Sequence, residues 1–123
     1  IDDRPRFTAI RDFNRWADDV LAIAAGQTTR LTDVEVRDPT QCRFGLWFHA
    51  EGEQRYGSLD EYRSLDVAHR ELHELGADII DCLRRGDAAA AQAASLSLSE
   101  ARERVTACID ALQRAARRRA VTG

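Results

Sequence analysis

The sequence predicts an all-α protein, an antiparallel four-helix bundle in which a short helix carries a cysteine motif. Long segments place their apolar residues three and four positions apart, the spacing of one face of a helix. No segment of useful length shows the alternation of a strand, and the only prolines are Pro5 and Pro39. Three long helices and one short helix joined by turns pack most simply as an antiparallel bundle.

The first long helix is expected to start near Phe7. Its apolar face is formed by positions 7, 10, 13, 16, 20, 23 and 24. Gly26 follows as a natural stop, because glycine readily takes the left-handed conformation that ends many helices. The segment 27–40 is rich in Thr and Asp and is interrupted by Pro39, so it is expected to be a long connection.

The short helix is predicted from Cys42 to about Ala50, followed by a loop over "EGEQRYG". Ser58 and Glu61 have the spacing of a capping box, which predicts a second long helix from Leu59 to about Arg85.

The pair Gly86-Asp87 is expected to end that helix and to cap the next one. The last helix is predicted from Ala88 to about Arg119. Its apolar residues recur in a heptad-like stripe at positions 94, 98, 101, 105, 108, 112 and 115. Several of these residues are alanines, which allow a neighbouring helix to approach closely.

Composition restricts the classes of function. The formal net charge of −3 provides no basic field for nucleic acid, and no apolar run is long enough for membrane insertion. Three widely spaced cysteines are typical of a reducing compartment and predict a cytoplasmic location. The chain contains no Met, so residues 1–123 are expected to be a single domain cut from a longer protein.

His69 and His73 are the first candidate metal ligands. They stand four apart on the predicted helix, so both imidazoles project from one face about 6 Å apart along the axis. Two ring nitrogens at this spacing can reach one metal ion, although such a pair also occurs often on surface helices. A thiol elsewhere in the bundle strengthens the interpretation, because Cys and His together match the preference of Zn²⁺.

Two joined motifs resemble the chemoreceptor zinc-binding domain family. The first is "CRFGLW", from Cys42 to Trp47, and the second is "AHRELH", which ends at His73. The resemblance covers about residues 7–115. It implies a four-helix bundle that binds zinc through one Cys and three His. It also implies a sensory or regulatory module of a bacterial chemoreceptor or diguanylate cyclase, usually a homodimer with an attached signalling domain and not an enzyme.

Carried over position by position, the resemblance implies that Cys42, His69 and His73 are zinc ligands. It implies that Gly45 lets the short helix sit close against a neighbour and that Trp47 covers the site. The family also has a histidine three residues before a tryptophan in its first helix. In this chain that tryptophan is Trp16, and the position three before it is Phe13, which cannot bind a metal.

Several other residues are candidates for the fourth ligand. His49 lies seven positions after Cys42, which separates them by about 10 Å along a helix. Asp66 lies three before His69 and near its face, so it is a candidate either to ligate directly or to accept the outer imidazole proton. The position of Cys108 relative to the site is open, and Cys82 lies nearly opposite on its helix. The sequence leaves three possibilities: water, Asp66, or no fourth ligand.

The predicted function is a zinc-binding sensory or regulatory domain that responds to zinc availability or to oxidation of Cys42. Three protein ligands plus water would also suit a catalytic zinc, but the chain lacks an HExxH or comparable set. A haemerythrin-like di-iron carrier needs more histidines than the three present. The alternative is a metal-free dimerisation or structural module, for which the apolar Phe13 is the main support.

Overall fold

The computed structural model describes the backbone of residues 4–122 and the side chains of residues 8–121, so the side chain of Phe7 lies outside the described residues. The described chain is helical, and the predicted all-α bundle is confirmed. Its elements are α1 (Arg4–Ala24), α2 (Asp33–Arg37), α3 (Arg43–Trp47), a π-helical turn (Phe48–Gly52), α4 (Glu53–Tyr56), α5 (Asp60–Arg84) and α6 (Ala88–Thr122). None of the described helices is both long and apolar enough to cross a bilayer.

The predicted end of the first helix is confirmed at Gly26, which has a φ of 87°. Its amide donates to the carbonyl oxygen of Ile23, and the amide of Gln27 donates to that of Ala22, both at 2.9 Å. This Schellman arrangement satisfies carbonyl groups that the helix leaves without partners.

α5 and α6 form the long antiparallel pair of the bundle. The turn between them uses Gly86 at a φ of 76°, and the Asp87 carboxylate accepts from the amide of Ala90 at 3.0 Å. An ion pair of 3.8 Å between Glu61 and Arg118 joins the start of α5 to the end of α6. The predicted stripe of α6 faces the core, with residues 98, 101, 105, 112 and 115 buried and residues 94 and 108 half-buried.

The prediction that residues 27–40 form only a connection is wrong, because α2 lies within it. Thr32 caps this helix by accepting from the Glu35 amide at 3.2 Å, while the Glu35 carboxylate accepts from the Thr32 amide at 3.3 Å. The capping box compensates for the shortness of the helix by satisfying amides at its start. α2 positions Val36, which is fully buried against α5.

The predicted loop over "EGEQRYG" is also wrong. Helical structure continues from α3 through the π-helical turn into α4, which ends at Tyr56. The Phe48 ring stacks on the ring of Tyr62 at a centroid distance of 4.1 Å, and the Tyr62 hydroxyl donates to the Phe48 carbonyl oxygen at 2.7 Å. This buried contact attaches the π-helical turn to α5. The polar residues of the segment give no indication of such a contact in the sequence.

Ser58 does not form the predicted capping box. α5 begins one residue later than that motif requires, with Leu59 at the cap position and no side-chain hydrogen bond there. The Leu59 amide instead donates to the Tyr56 carbonyl oxygen at 2.9 Å, which continues the preceding turn. The predicted extent of the helix is nevertheless within one residue of the observed one.

Candidate metal centre

Three donor atoms from two parts of the chain converge in the core. The Cys42 Sγ lies 3.4 Å from Nε2 of His69, and this nitrogen lies 3.1 Å from Nε2 of His73. All three donor atoms are within 4.8 Å of one another. Each residue is at most 2% exposed. The structure therefore brings together the three side chains that the sequence singled out.

Cys42 reaches the cluster from the N-terminal cap of α3. Its Sγ accepts a hydrogen bond from the amide of Gly45 at 3.2 Å. A Cβ on Gly45 would overlap the carbonyl oxygen of Pro39. The absence of a side chain at Gly45 is thus required by the turn that precedes α3 and not, as expected, by a neighbouring helix.

His73 is oriented by the backbone of α2. Its Nδ1 lies 2.7 Å from the carbonyl oxygen of Val36. Because a carbonyl oxygen can only accept, we assign the hydrogen to Nδ1, which leaves the lone pair of Nε2 directed at the cluster. Ligating histidines commonly have such an outer partner. Sequence reasoning missed this role of α2, although the T-x-x-E spacing from Thr32 to Glu35 was a signal for the helix.

His69 has no comparable outer partner. Its Nε2 faces both other donors, while its Nδ1 is buried without a hydrogen bond. Of the open possibilities, the one in which Asp66 accepts the outer imidazole proton is not realised in this structure. The Asp66 carboxylate accepts from Arg70 at 3.2 Å and lies 4.0 Å from Nε2 of His49.

Burial controls the protonation of the metal-free site. Desolvation is the main cause that lowers the pKa of His69 to about 2 and that of His73 to about 4. Desolvation likewise raises the pKa of Cys42 to about 11, despite the opposing hydrogen bond from Gly45. At neutral pH without metal, the three side chains are therefore all uncharged.

Aromatic rings enclose the two imidazoles. The centroid of Trp16 lies 4.3 Å from that of His73, and the centroid of Phe44 lies 4.9 Å from that of His69. Trp16 is held by a 2.8 Å hydrogen bond from Nε1 to the Glu35 carbonyl oxygen. Trp16, which sequence reasoning used only as a landmark, therefore covers His73.

Trp47 does not have the covering role that the resemblance implied. The centroid of its ring lies 6.0 Å from that of Phe44 and 6.5 Å from that of Tyr56. Trp47 therefore packs on rings that lie outside the two imidazoles. Phe13 is 2% exposed, and its ring centroid lies 6.0 Å from that of Phe44.

The other candidates for a fourth ligand lie outside the cluster. Among the side chains that the structure describes, no fourth His, Cys or carboxylate joins the three donors. Cys82 accepts from Arg85 at 3.3 Å, and the Cys108 thiol lies 4.0 Å from the carbonyl oxygen of Ser64.

The family model of the chemoreceptor zinc-binding domain matches residues 14–80, more than half of the chain, including all three clustered residues. The chain belongs to this family. No curated protein and no solved structure matches this chemoreceptor zinc-binding domain significantly. The matched segment begins at Asn14, so the correspondence of Phe13 to the family's first-helix histidine stays a prediction.

The donor atoms of this zinc-binding domain fit a small thiophilic ion. Bond lengths of about 2.0–2.3 Å place two ligands of one tetrahedral zinc about 3.3–3.6 Å apart. The observed separations of 3.4 and 3.1 Å around His69 are close to this range. One thiol and two imidazoles are also ligands that Zn²⁺ prefers. The three residues can therefore hold a metal once the Cys42 thiol has lost its proton.

Proposed function

We propose that this domain is a zinc-binding sensory or regulatory domain of a bacterial signalling protein, of the chemoreceptor or diguanylate cyclase type. Cys42, His69 and His73 are its metal ligands. The observation that carries the proposal is the convergence of their donor atoms in the buried core.

Bound zinc would stabilise the deprotonated thiol of Cys42. The protein's contribution is to hold the ligands on separate elements. Cys42 belongs to the start of α3, His69 and His73 belong to α5, and the backbone of Val36 links α2 to His73. Loss of the metal removes a shared anchor between α3 and α5, which loosens one helix against the other. Such a change in packing is a suitable element for a two-state switch.

Of the two stimuli that the sequence suggested, burial favours zinc availability. Cys42 is 2% exposed, so an oxidant reaches its sulfur only after the region around α3 opens. Oxidation of the sulfur would still release zinc, because an oxidised sulfur is a poor ligand. We therefore propose zinc as the primary signal and oxidation of Cys42 as a slower one.

The proposal includes the organisation implied by the family. Residues 1–123 act as one regulatory domain without enzymatic activity, in a cytoplasmic homodimer, and pass their state to an attached signalling domain. This part of the proposal is supported by the chain's membership of the chemoreceptor zinc-binding family.

Metal analysis of protein purified without chelator tests the zinc site. We expect about one zinc per chain in the wild type and none in Cys42→Ser. The matched control is Cys108→Ser, which removes a thiol outside the cluster and should retain the zinc. Equal zinc in the wild type and Cys42→Ser would reject the proposed ligand set.

A metal-free dimerisation or structural module is the second candidate function. It is favoured by the hydrocarbon around the cluster, to which Phe13 and Phe44 contribute, and by the missing outer partner of His69. A strong chelator distinguishes the two functions, because a metal that binds only the folded state raises the unfolding temperature. An unchanged unfolding temperature would support the structural module.

A further inference from the structure

α2 presents two backbone carbonyl groups to side chains at the metal centre. The Glu35 carbonyl oxygen accepts from Nε1 of Trp16 at 2.8 Å, and the Val36 carbonyl oxygen lies 2.7 Å from Nδ1 of His73. If α2 continued as an α-helix, each of these oxygens would accept from the amide four residues later. The two side chains can use these oxygens because both of those amides are withheld.

The first amide is withheld because residue 39 is a proline, which has no N–H group. Pro39 also disfavours the helical conformation of the residue before it. Asp38 accordingly has an extended backbone, with a φ of −102° and a ψ of 110°. Pro39 therefore ends α2 and leaves the Glu35 carbonyl without an amide donor four residues later.

The second amide is withheld because it is bound by a side chain. The Asp38 carboxylate accepts from the Thr40 amide at 2.9 Å and from the Thr40 hydroxyl at 2.7 Å. Aspartate in turns often binds the backbone two residues later in this way. The Thr40 amide is therefore engaged by Asp38 and does not compete for the Val36 carbonyl.

The same turn leads directly to the thiol of the cluster. The Gln41 amide donates to the Asp38 carbonyl oxygen at 3.0 Å, which closes a four-residue turn with Pro39 at its second position. The Pro39 carbonyl oxygen lies 3.8 Å from Sγ of Cys42. This turn thus links the helix that orients one candidate ligand to the sulfur of another.

We infer that Asp38 and Pro39 are positioning residues of the metal centre. By keeping backbone amides away from the end of α2, they reserve its carbonyl groups for the ring nitrogens of Trp16 and His73. Neither residue belongs to the donor cluster. If the Val36 carbonyl is taken by an amide, the hydrogen of His73 can move from Nδ1 to Nε2, where it blocks coordination of a metal.

The inference rests on the proposed function, because it treats His73 as a zinc ligand. The orientation and tautomer of His73 are nevertheless properties of the metal-free protein, so they can be measured without zinc. The two can therefore be tested separately.

Two substitutions at Asp38 separate the hydrogen bond from the charge. Asp38→Ala releases the Thr40 amide, which can then compete for the Val36 carbonyl. Asp38→Asn keeps a side-chain oxygen that accepts from this amide and removes only the negative charge. We expect Asp38→Ala to weaken zinc binding by roughly tenfold, the size of effect of a lost outer partner, and Asp38→Asn to keep most of the affinity.

The tautomer of His73 is the second measurement. The nitrogen chemical shifts of its imidazole are recorded for metal-free protein at neutral pH and assigned by comparison with His73→Gln. We expect the hydrogen on Nδ1 in the wild type and in Asp38→Asn, and a mixture of both tautomers in Asp38→Ala. A general loss of stability in a protein that stays folded does not change this tautomer.

Pro39→Ala tests the other withheld amide. It supplies an N–H group four residues after Glu35, which can take the carbonyl that Trp16 uses. We expect the indole hydrogen of Trp16 to exchange faster with solvent and zinc binding to weaken. Far-ultraviolet circular dichroism shows that each variant is folded.

The matched control is Asp87→Ala. The Asp87 carboxylate also accepts from one backbone amide, that of Ala90 at 3.0 Å, but it lies in the turn between α5 and α6 and outside the cluster. We expect this variant to lose thermal stability while it keeps the wild-type zinc affinity and the wild-type tautomer of His73.

The outcomes separate this inference from the proposed function. An unchanged tautomer and zinc affinity in folded Asp38→Ala overturns the role of Asp38 and leaves the zinc domain standing. Equal losses of zinc affinity in Asp38→Ala and in either Asp38→Asn or Asp87→Ala also overturn it. Unchanged indole exchange in folded Pro39→Ala overturns the role of Pro39. A wild type that shows the expected tautomers but binds no zinc supports the positioning role and rejects zinc as the signal.

Discussion

The carbonyl oxygen of Val36 lies 2.7 Å from Nδ1 of His73, so the backbone of a five-residue helix determines which ring nitrogen of His73 faces the cluster. This contact couples α2, a surface element, to a buried candidate ligand. We therefore expect substitutions in α2, outside the cluster, to change metal binding.

Thr32→Ala removes the cap of α2 and leaves the cluster itself intact. We expect the free energy of unfolding to fall by about 1 kcal/mol. We also expect zinc affinity to fall by roughly tenfold, since the Val36 carbonyl is then held less firmly against His73. Urea unfolding and zinc competition measure the two effects. The control is Thr29→Ala, which loses a 3.2 Å hydrogen bond from the Leu31 amide in the same connection but outside α2. An equal loss of zinc affinity in both variants would contradict the role of α2.

Gly76→Ala tests the packing behind His73. The added Cβ would lie 3.2 Å from atoms of both Trp16 and Val36, which are buried. Overpacking of this kind costs about 1–3 kcal/mol, and the better helix propensity of alanine offsets up to about 1 kcal/mol. We expect a net loss of stability together with weaker zinc binding, because the displaced residues both contact His73.

The matched control for that prediction is Gly26→Ala. Nothing lies within 4 Å of a Cβ at Gly26, and its φ of +87° makes a substitution strained. This variant should lose about 1 kcal/mol of stability and retain its zinc affinity. If Gly76→Ala also retains its zinc affinity, packing behind His73 does not tune the site.

Acid should destabilise the metal-free protein. The pKa values of His69 and His73 are lowered to about 2 and about 4, against an ordinary value of 6.5. As the pH falls below 6.5, the unfolded chain takes up two protons that the folded state does not bind. The free energy of unfolding therefore decreases, by about 1.4 kcal/mol per proton for each pH unit, until His73 protonates in the folded state near pH 4.

Unfolding titrations of chelator-treated protein between about pH 6.5 and 5 measure this slope. The window lies above the titration of Asp38 and Asp81, whose pKa values are lowered below 3.8 mainly by hydrogen bonds from Thr40 and Arg37. The double variant His69→Gln/His73→Gln should lack the slope, whatever its stability at neutral pH. The same slope in the double variant would show that other groups cause it.

Alkylation tests the claim that Cys42 is protected. In metal-free protein at about pH 8, we expect iodoacetamide to modify half-buried Cys108 first and Cys42 slowly, since burial raises the pKa of the Cys42 thiol to about 11. Peptide mass spectrometry gives the rate at each cysteine, and urea should remove the difference. Labelling of Cys42 at the rate of an exposed thiol would make oxidation a direct signal, contrary to the proposal.

The sequence predicted the long helices well because their periodicity is a local property. On α6, apolar residues recur three and four positions apart, and this pattern depends only on neighbouring residues. The same is true of the glycine turns at Gly26 and Gly86. The spacing of His69 and His73 likewise ensured that both rings share a face of α5, and the joined motifs indicated the family that the match over residues 14–80 confirmed.

The tertiary structure alone decided what surrounds those ligands. Contacts between distant segments placed the Val36 carbonyl on His73, the Trp16 ring over His73, and the stack of Phe48 on Tyr62 that continues the helix beyond α3. Asp66 shows the same limit, because its spacing suited His69 while the packing of the π-helical turn on α5 places the Asp66 carboxylate 4.0 Å from Nε2 of His49. A helical period determines which face a residue occupies, but the partner on that face depends on how the helices pack.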